Sequence, residues 1–262
     1  MSQNTKAYLA FKAESERLTN LIALFSHAVP VLKRVLASTQ ASALVPLKPA
    51  DSFPNDKATG SMLLQWSKDY EKDLARIIVL VVFSNFEAYI RAALLEIYDR
   101  QGGVENFITL TGKRSMRYWK SPPTNIAEAI AKLQTPDDKR KADRYRKYSK
   151  ILIAAGYPFP TDLLAVYGAR KLAEKLQEKS RTAFRAWEIP VLLTEALLMK
   201  ITDTENEMYE ELRKLRNDVG HAVPTTLSVH DAIKKTTKLR KWASRIDAHI
   251  EEHFLVLTKF AL

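Results

Sequence analysis

Arg216 and His221, in the run Arg216-Asn217-Asp218-Val219-Gly220-His221, are the residues of this chain best suited to chemistry on a phosphate ester. An arginine is permanently charged, and its planar fork can hold two phosphoryl oxygens. A histidine titrates near neutrality and can take or give a proton. Their spacing alone does not bring them together, because five residues on an unbroken helix rotate a side chain by roughly 140°. Gly220 offers the remedy: a left-handed cap there would end the helix and let His221 emerge just past it. The same histidine also fits a plainer role, a charge complementing the dipole at a helix C-terminus.

The elements that must carry this motif are helices. Leu, Ala, Lys, Glu and Arg dominate, while glycine and proline are scarce at 7 and 11 residues, so few stretches look like linkers. Leu212, Leu215 and Val219 fall at helical spacing and face a core, with Arg216 and Asn217 flanking that stripe. Thr204 with Glu207 offers a capping box for this helix. A first helix is expected from about Thr5 to the region before Pro30, its stripe supplied by Tyr8, Phe11, Leu18, Ile22 and Phe25. Residues 41–60 hold Pro46, Pro49, Pro54 and Gly60 and read as a loop. The longest helix is expected from about Ser61 to Arg100, stopped by Gly102-Gly103. Its centre, from Ile77 to Phe83, is apolar on every side and must lie in the middle of a bundle.

Further along, Asn125 with Glu128 can cap a short helix. Another is expected from near Asp137 to Gly156, one from Thr161 or Asp162 to about Ser180, and one from Val191. A last helix begins at Ser228, with Asp231 three residues on, and runs nearly to the C-terminus. The fold class is all-α, a helical bundle in one domain over 1–262.

Composition bounds the rest. The 262 residues include no cysteine, which excludes disulfides, thiolate zinc sites and a cysteine nucleophile, and suits a reducing compartment. No cofactor is implied and no metal-ligand spacing is clear; His249 and His253 sit at i and i+4, but on an amphipathic helix where a solvated face is the simpler reading. The N-terminus lacks the order of a signal peptide, and the most apolar run, Ile77 to Phe86, is shorter than the ~20 residues that span a bilayer. A cytoplasmic protein without membrane association is the expectation. The net charge of +11 favours an anionic partner without naming it.

The cations concentrate between Lys113 and Lys150. Lys113, Arg114, Arg117, Lys120, Lys139, Arg140, Lys141, Arg144, Arg146 and Lys147 lie there with Tyr118, Trp119, Tyr145 and Tyr148 interleaved. Cations with stacking aromatics are what single-stranded nucleic acid binding uses. The same composition also fits an exposed basic helix whose tyrosines pack on the core. The start of the last helix is basic too, and Trp242 in it reads as core.

The string Arg216-Asn217-x-x-x-His221, late in an all-helical chain, resembles the Arg-(Asn/Asp/His)-x-x-x-His signature of the HEPN superfamily. The resemblance extends to a long helix before the motif helix and another after it. Glu87, in Phe86-Glu87-Ala88-Tyr89, looks like the acidic position in an earlier helix of many such proteins. The family consists of helical bundles, many of them metal-independent ribonucleases of bacterial toxin–antitoxin, anti-phage and CRISPR systems. The resemblance therefore implies a homodimer whose two Arg–His pairs line one cleft. In it His221 acts as general base or acid, Arg216 stabilises charge on phosphorus and Asn217 orients them, with Glu87 and Asp218 in support. RNA is the implied substrate, and an antitoxin or other defence protein a possible partner. Ala222-Val223-Pro224 follows the motif where many relatives carry a tyrosine that the antitoxin modifies, so that mode of control is not expected. Residues 113–180 look like a helical insertion between core helices, suited to gripping RNA or docking a partner.

Overall fold

The computed structural model describes residues 4–38, 59–100, 102, 121–134, 147, 148, 150–152, 154–156, 185–197 and 199–252. Their regular structure is helical, as expected: α1 (Lys6–Ser38), α2 (Gly60–Trp66), α3 (Tyr70–Arg100), α4 (Thr124–Gln134), α5 (Asp203–Gly220) and α6 (Val229–Ile250). Of the expected loop over 41–60, residues 41–58 lie outside the described residues and Gly60 opens α2; the helix over 161–180, the end of the last helix, 113–120 and 135–146 also lie outside them. The chain divides into two compact units, each assembled from separate stretches. One comprises Met1–Phe11, Phe86–Arg213 and Leu239–Leu262; the other comprises Lys12–Asn85 and Lys214–Lys238.

The first unit is built on aromatic packing. Phe11, Phe86, Tyr89, Tyr209 and Trp242 are all buried, and Phe86 stacks on Trp242 with ring centroids 5.6 Å apart and planes 17° from parallel. Tyr209 lies 5.4 Å from Trp242, and Phe11 lies 5.3 Å from Tyr89. Such pairs each add about 0.5–1.5 kcal/mol beyond the area they bury. Trp242 is core, as its place on an amphipathic helix suggested. The two tyrosine hydroxyls find partners: that of Tyr89 donates to the Ala243 carbonyl at 3.2 Å, and that of Tyr209 donates to the Ala186 carbonyl at 2.7 Å.

Helix starts in this unit are secured by side chains. The Thr5 hydroxyl oxygen accepts the Tyr8 N–H at 2.9 Å while donating to the Asp247 carboxylate at 2.5 Å. The Glu96 carboxylate takes the N–H groups of Lys6 at 3.2 Å and Ala7 at 3.0 Å, so three of the orphan donors of α1 are met. At α5 the capping box is Thr202 with Glu205, not Thr204 with Glu207. The Thr202 N–H donates to Glu205 at 2.9 Å and the Glu205 N–H to the Thr202 hydroxyl at 3.2 Å. Arg245 of α6 pairs with the same glutamate and donates to the Lys200 carbonyl. The helix expected from Val191 begins earlier, with a 3₁₀ turn over Ala186–Glu188, an α turn over Ile189–Val191 and a π turn over Leu192–Ala196. Asn125 is not a cap; α4 starts at Thr124, and the N–H groups of Ile126 and Ala127 both reach the Pro123 carbonyl.

In the second unit the expected long helix is two. A break over 67–69 separates α2 from α3, with the Ser67 N–H closing onto the Leu63 carbonyl. The apolar centre of α3 is also not covered on all sides: Ile78, Val79, Val82 and Phe83 are buried, but Ile77 is 49% exposed. Helix α1 continues through Pro30 to Ser38. The Ser26 carbonyl that proline frees sits in an exposed stretch, where water can satisfy it. Phe25, expected in the apolar stripe of α1, is exposed. Two helices, α1 and α3 over 70–97, are long and apolar enough by composition to cross a bilayer, which the short run from Ile77 to Phe86 did not suggest. Half of an apolar 18-residue window within α3 is buried in protein, as in a core helix, whereas only 6% of such a window in α1 is. The stops at Gly102 and Gly156 stand, both glycines having positive φ.

Candidate functional site

The motif occupies the last turn of α5, and its ending differs from the one expected. Gly220 does not adopt a left-handed conformation; α5 runs through it, and Ala222 takes that role with φ 57°. The Ala222 N–H bonds to the Val219 carbonyl at 3.1 Å, and the Val223 N–H to the Asp218 carbonyl at 2.8 Å. This is the paired closure of a Schellman motif, one in which a non-glycine residue bears the left-handed strain. His221 directly follows α5 and keeps its hydrogen-bonding pattern, with its N–H bonded to the Asn217 carbonyl at 2.9 Å.

Because the helical path is unbroken up to His221, Arg216 and His221 leave it roughly 140° apart. The turn at Gly220 that was expected to make them converge is absent. Leu212 and Val219 are buried and Leu215 half-buried, which fixes the inward face of α5. Arg216 flanks that face and is half-buried, with its guanidinium 5.7 Å from the centre of the Phe83 ring. That is within cation–π reach, worth about 0.5–2 kcal/mol depending on solvation. His221 lies opposite the inward face and is exposed.

Asn217 links the two directions. It is one helical turn before His221 and so shares its side of the helix. Its side-chain oxygen accepts a hydrogen bond from Arg216 Nη1 at 3.1 Å. The guanidinium is thereby drawn around α5 toward the histidine's side while staying on Phe83. Asp218 is half-buried and contributes its backbone carbonyl to the turn.

Two residues without a place in the motif shape this end of α5. Phe83 supports Arg216, and Arg76 Nη2 donates to the Val223 carbonyl at 3.4 Å, just past His221. Arg76 and Phe83 are seven residues apart, hence on one face of α3. A single arginine inside the apolar run Leu74-Ala75-Arg76-Ile77-Ile78 was the available signal. These contacts also make α3 and α5 antiparallel within this unit.

Glu87 is half-buried on α3 and belongs to the first unit, whereas Arg216, Asn217, Asp218 and His221 belong to the second. Lys147 is exposed, with its Nζ 5.3 Å above the Tyr148 ring, so that this interleaved aromatic is engaged by its own neighbour. Lys113, Arg114, Arg117, Lys120, Lys139, Arg140, Lys141, Arg144 and Arg146 lie outside the described residues. His249, the first of the i, i+4 histidines, is half-buried and bonds the Leu197 carbonyl at 2.7 Å through Nε2. Among the described residues no group of three acidic, histidine or cysteine side chains could hold a metal ion.

The perturbed acids belong to the first unit. Burial pushes the Asp247 carboxyl up to about 6; the Thr5 hydroxyl opposes this, and Glu251 and Glu96 reinforce it. Burial also raises Glu96, but the Ala7 N–H, Arg100 and the Lys6 N–H outweigh it and hold that carboxyl below its usual range. Glu205 is similar: burial raises it, and Thr202 and Arg245 bring it down.

Comparison with protein-family models, with curated proteins and with solved structures finds no match to this chain.

Proposed function

We propose that this protein is a metal-independent endoribonuclease of the HEPN type, acting as a cytoplasmic toxin or anti-phage effector. The observation that carries the reading is the arrangement at the end of α5, where Asn217 holds the Arg216 guanidinium toward the side on which His221 is exposed. An anchored cation and an accessible imidazole, brought together from two copies, suit in-line cleavage of an RNA strand. His221 takes the proton of a 2′-hydroxyl, the 2′-oxygen bonds to phosphorus, and the bond to the 5′-oxygen breaks as that oxygen takes a proton from the protonated imidazole of the second copy or from water. Arg216 offsets the charge that builds on the phosphoryl oxygens. The products are a 2′,3′-cyclic phosphate and a 5′-hydroxyl, and DNA is spared for want of the nucleophile. Since His221 and Arg216 diverge within one chain, the working site is composite, with two copies placing their α5 ends in one cleft. RNA and a second copy are the partners of this reading, and an antitoxin or other defence protein would restrain it.

The test is cleavage of RNA by the purified chain in EDTA. Arg216→Ala and His221→Ala should each abolish it, a loss on the order of 10²–10⁴-fold for the proton-transfer residue. Cleavage that persists in both variants removes the assignment. One observation favours a second reading, a non-catalytic HEPN-like scaffold that binds RNA or protein: the roughly 140° divergence of Arg216 and His221 on an intact helix. Under that reading RNA is bound and left whole.

A further inference from the structure

Helix α1 changes character halfway along. Up to Arg17 its outward positions include Lys12, Glu14, Glu16 and Arg17, all exposed. Between Arg17 and Lys33 the sequence has no Lys, Arg, Asp or Glu. The inward face runs on through that stretch, with Leu18 and Ile22 buried, Val29, Lys33 and Leu36 half-buried, and Lys33 Nζ 5.8 Å above the Tyr70 ring of α3. A second apolar stripe is left uncovered. Leu21, Leu24, Phe25, Val31, Leu32 and Val35 are exposed, Leu24 by 63%, with Ala28 exposed at their centre. At 100° per residue the stripe is about 120° wide, and its middle lies roughly 100° round α1 from the inward face. All of it belongs to the second unit. By contrast α3 and α6 each expose one large apolar side chain, Ile77 and Ile233, and α5 exposes none. The six large side chains of the stripe leave roughly 500 Å² of apolar surface open, a patch of the size that marks an interaction site.

The spacing selects the occupant. Counted from Ala28, the stripe positions lie at −7, −4, −3, 0, +3, +4 and +7, so the stripe reads the same in both directions. A second copy laid antiparallel about a two-fold axis at Ala28 sets Leu21 against Val35, Leu24 against Leu32 and Phe25 against Val31, each contact occurring twice. The small side chain on the axis lets the helices close to the ~8 Å of tight packing. This arrangement also keeps the Lys33 side chains of the two copies roughly 15 Å apart along the axis, where a parallel pair would set them side by side. Together the copies cover about 1,000 Å², the lower bound for a specific interface. Lipid fits less well, because the 15 uncharged residues between Arg17 and Lys33 fall short of the ~20 that span a bilayer and one of their faces already packs on protein.

We propose that this stripe is the surface on which two copies of the chain join, as an antiparallel helix pair centred on Ala28. The inference rests on the ribonuclease reading only for its need of a second copy, and it names the surface that supplies one.

The test measures the mass of the full chain by sedimentation across a concentration series, without RNA. The parent should associate to twice the chain mass. Leu24→Glu should weaken association by about 100-fold or more, since each dimer then buries two unpaired charges. Adding Leu32→Lys should restore it, because the antiparallel pairing brings the two new charges together. Ala28→Cys gives a reading that needs no disruptive variant. The chain has no cysteine of its own, so a disulfide-linked dimer formed in mild oxidant can only join two copies at position 28. Ala23→Cys, exposed but roughly 140° round the helix, should not link. A monomer at every concentration overturns the proposal, as does association that Leu24→Glu leaves intact, or equal linking at 23 and 28. Binding of a monomeric chain to phosphatidylcholine vesicles also overturns it and assigns the stripe to lipid. The two readings fail separately. Intact RNA with a dimer that Leu24→Glu dissolves removes the cleavage and keeps the interface. Cleavage by a chain that is monomeric or joined elsewhere does the reverse.

Discussion

The two ends of α5 are held in different ways. At its start, Thr202 and Glu205 cap each other, Arg245 reaches Glu205 from another helix, and the buried Tyr209 ring packs on Phe86 and Trp242. At its finish two backbone bonds close the turn around a non-glycine residue at φ 57°, Arg216 rests on Phe83, and Arg76 reaches the Val223 carbonyl. The first end is fixed by a reciprocal cap and by buried aromatic rings. The second is fixed by polar and cation–π contacts and exposes a histidine at the turn, the kind of place where binding and catalytic groups are found. A helix rooted by buried rings at one end can therefore leave a side chain such as that of His221 exposed at the other.

That contrast can be broken most forcefully by Trp242→Ala. It should cost about 3–5 kcal/mol in a urea titration, as large-to-small changes among buried aromatics do. His221→Ala, on the exposed face, should stay within about 0.5 kcal/mol of the parent. Comparable losses in both would mean that the motif is part of the core after all.

The next effect in size concerns pH. Asp247 ionises at about 6 in the fold against an ordinary 3.8, so the fold favours its protonated form. Its contribution is complete below about pH 4 and is lost as pH rises through 6, by an amount on the order of 3 kcal/mol. Glu96 and Glu205 act in the opposite sense, since their lowered values give stability that is lost only as pH falls through their folded-state values. Asp247→Asn keeps an oxygen for the Thr5 hydroxyl and removes the charge. The difference in stability between variant and parent should therefore widen in the variant's favour from pH 4 to pH 7, read by thermal melts across that range. A constant difference would contradict the burial of an uncompensated carboxylate.

Smaller changes bear on the turn itself. Ala222→Gly should stabilise the chain by about 1 kcal/mol by relieving the left-handed residue. Gly220→Ala should stabilise it by about 0.5–1 kcal/mol, because a Cβ there meets nothing within 4 Å and sits on a helix. If the helix instead ended in a left-handed Gly220, the second substitution would destabilise, so the pair of melting temperatures decides where α5 stops.

Much of this was legible in the chain. The all-helical character, the stops at Gly102 and Gly156, the start at Ser228 and the burial of Trp242 follow from local composition and periodicity. The finer errors have identifiable causes. Ile201-Thr202-Asp203-Thr204-Glu205-Asn206-Glu207 contains two overlapping capping-box patterns. The choice between them involves Arg245, some forty residues away, which no local pattern reveals. At the motif, a glycine two residues before the turn outweighed an alanine in the turn, because preference for the left-handed region is a tendency that backbone closure can override. The support of Arg216 by Phe83 and of the turn by Arg76 depends on how α3 lies against α5, a tertiary fact without a sequence signature of its own.

The central claim is that Arg216, Asn217 and His221 cleave RNA through its own 2′-hydroxyl. The most direct measurement is to incubate the purified chain with RNA in EDTA and to analyse the new termini, alongside a matched strand with 2′-deoxy sugars. The account predicts 2′,3′-cyclic phosphate and 5′-hydroxyl ends from RNA, an intact deoxy strand, and no products from the His221→Ala chain. Intact RNA, cleavage of the deoxy strand, or undiminished cleavage by His221→Ala would contradict it.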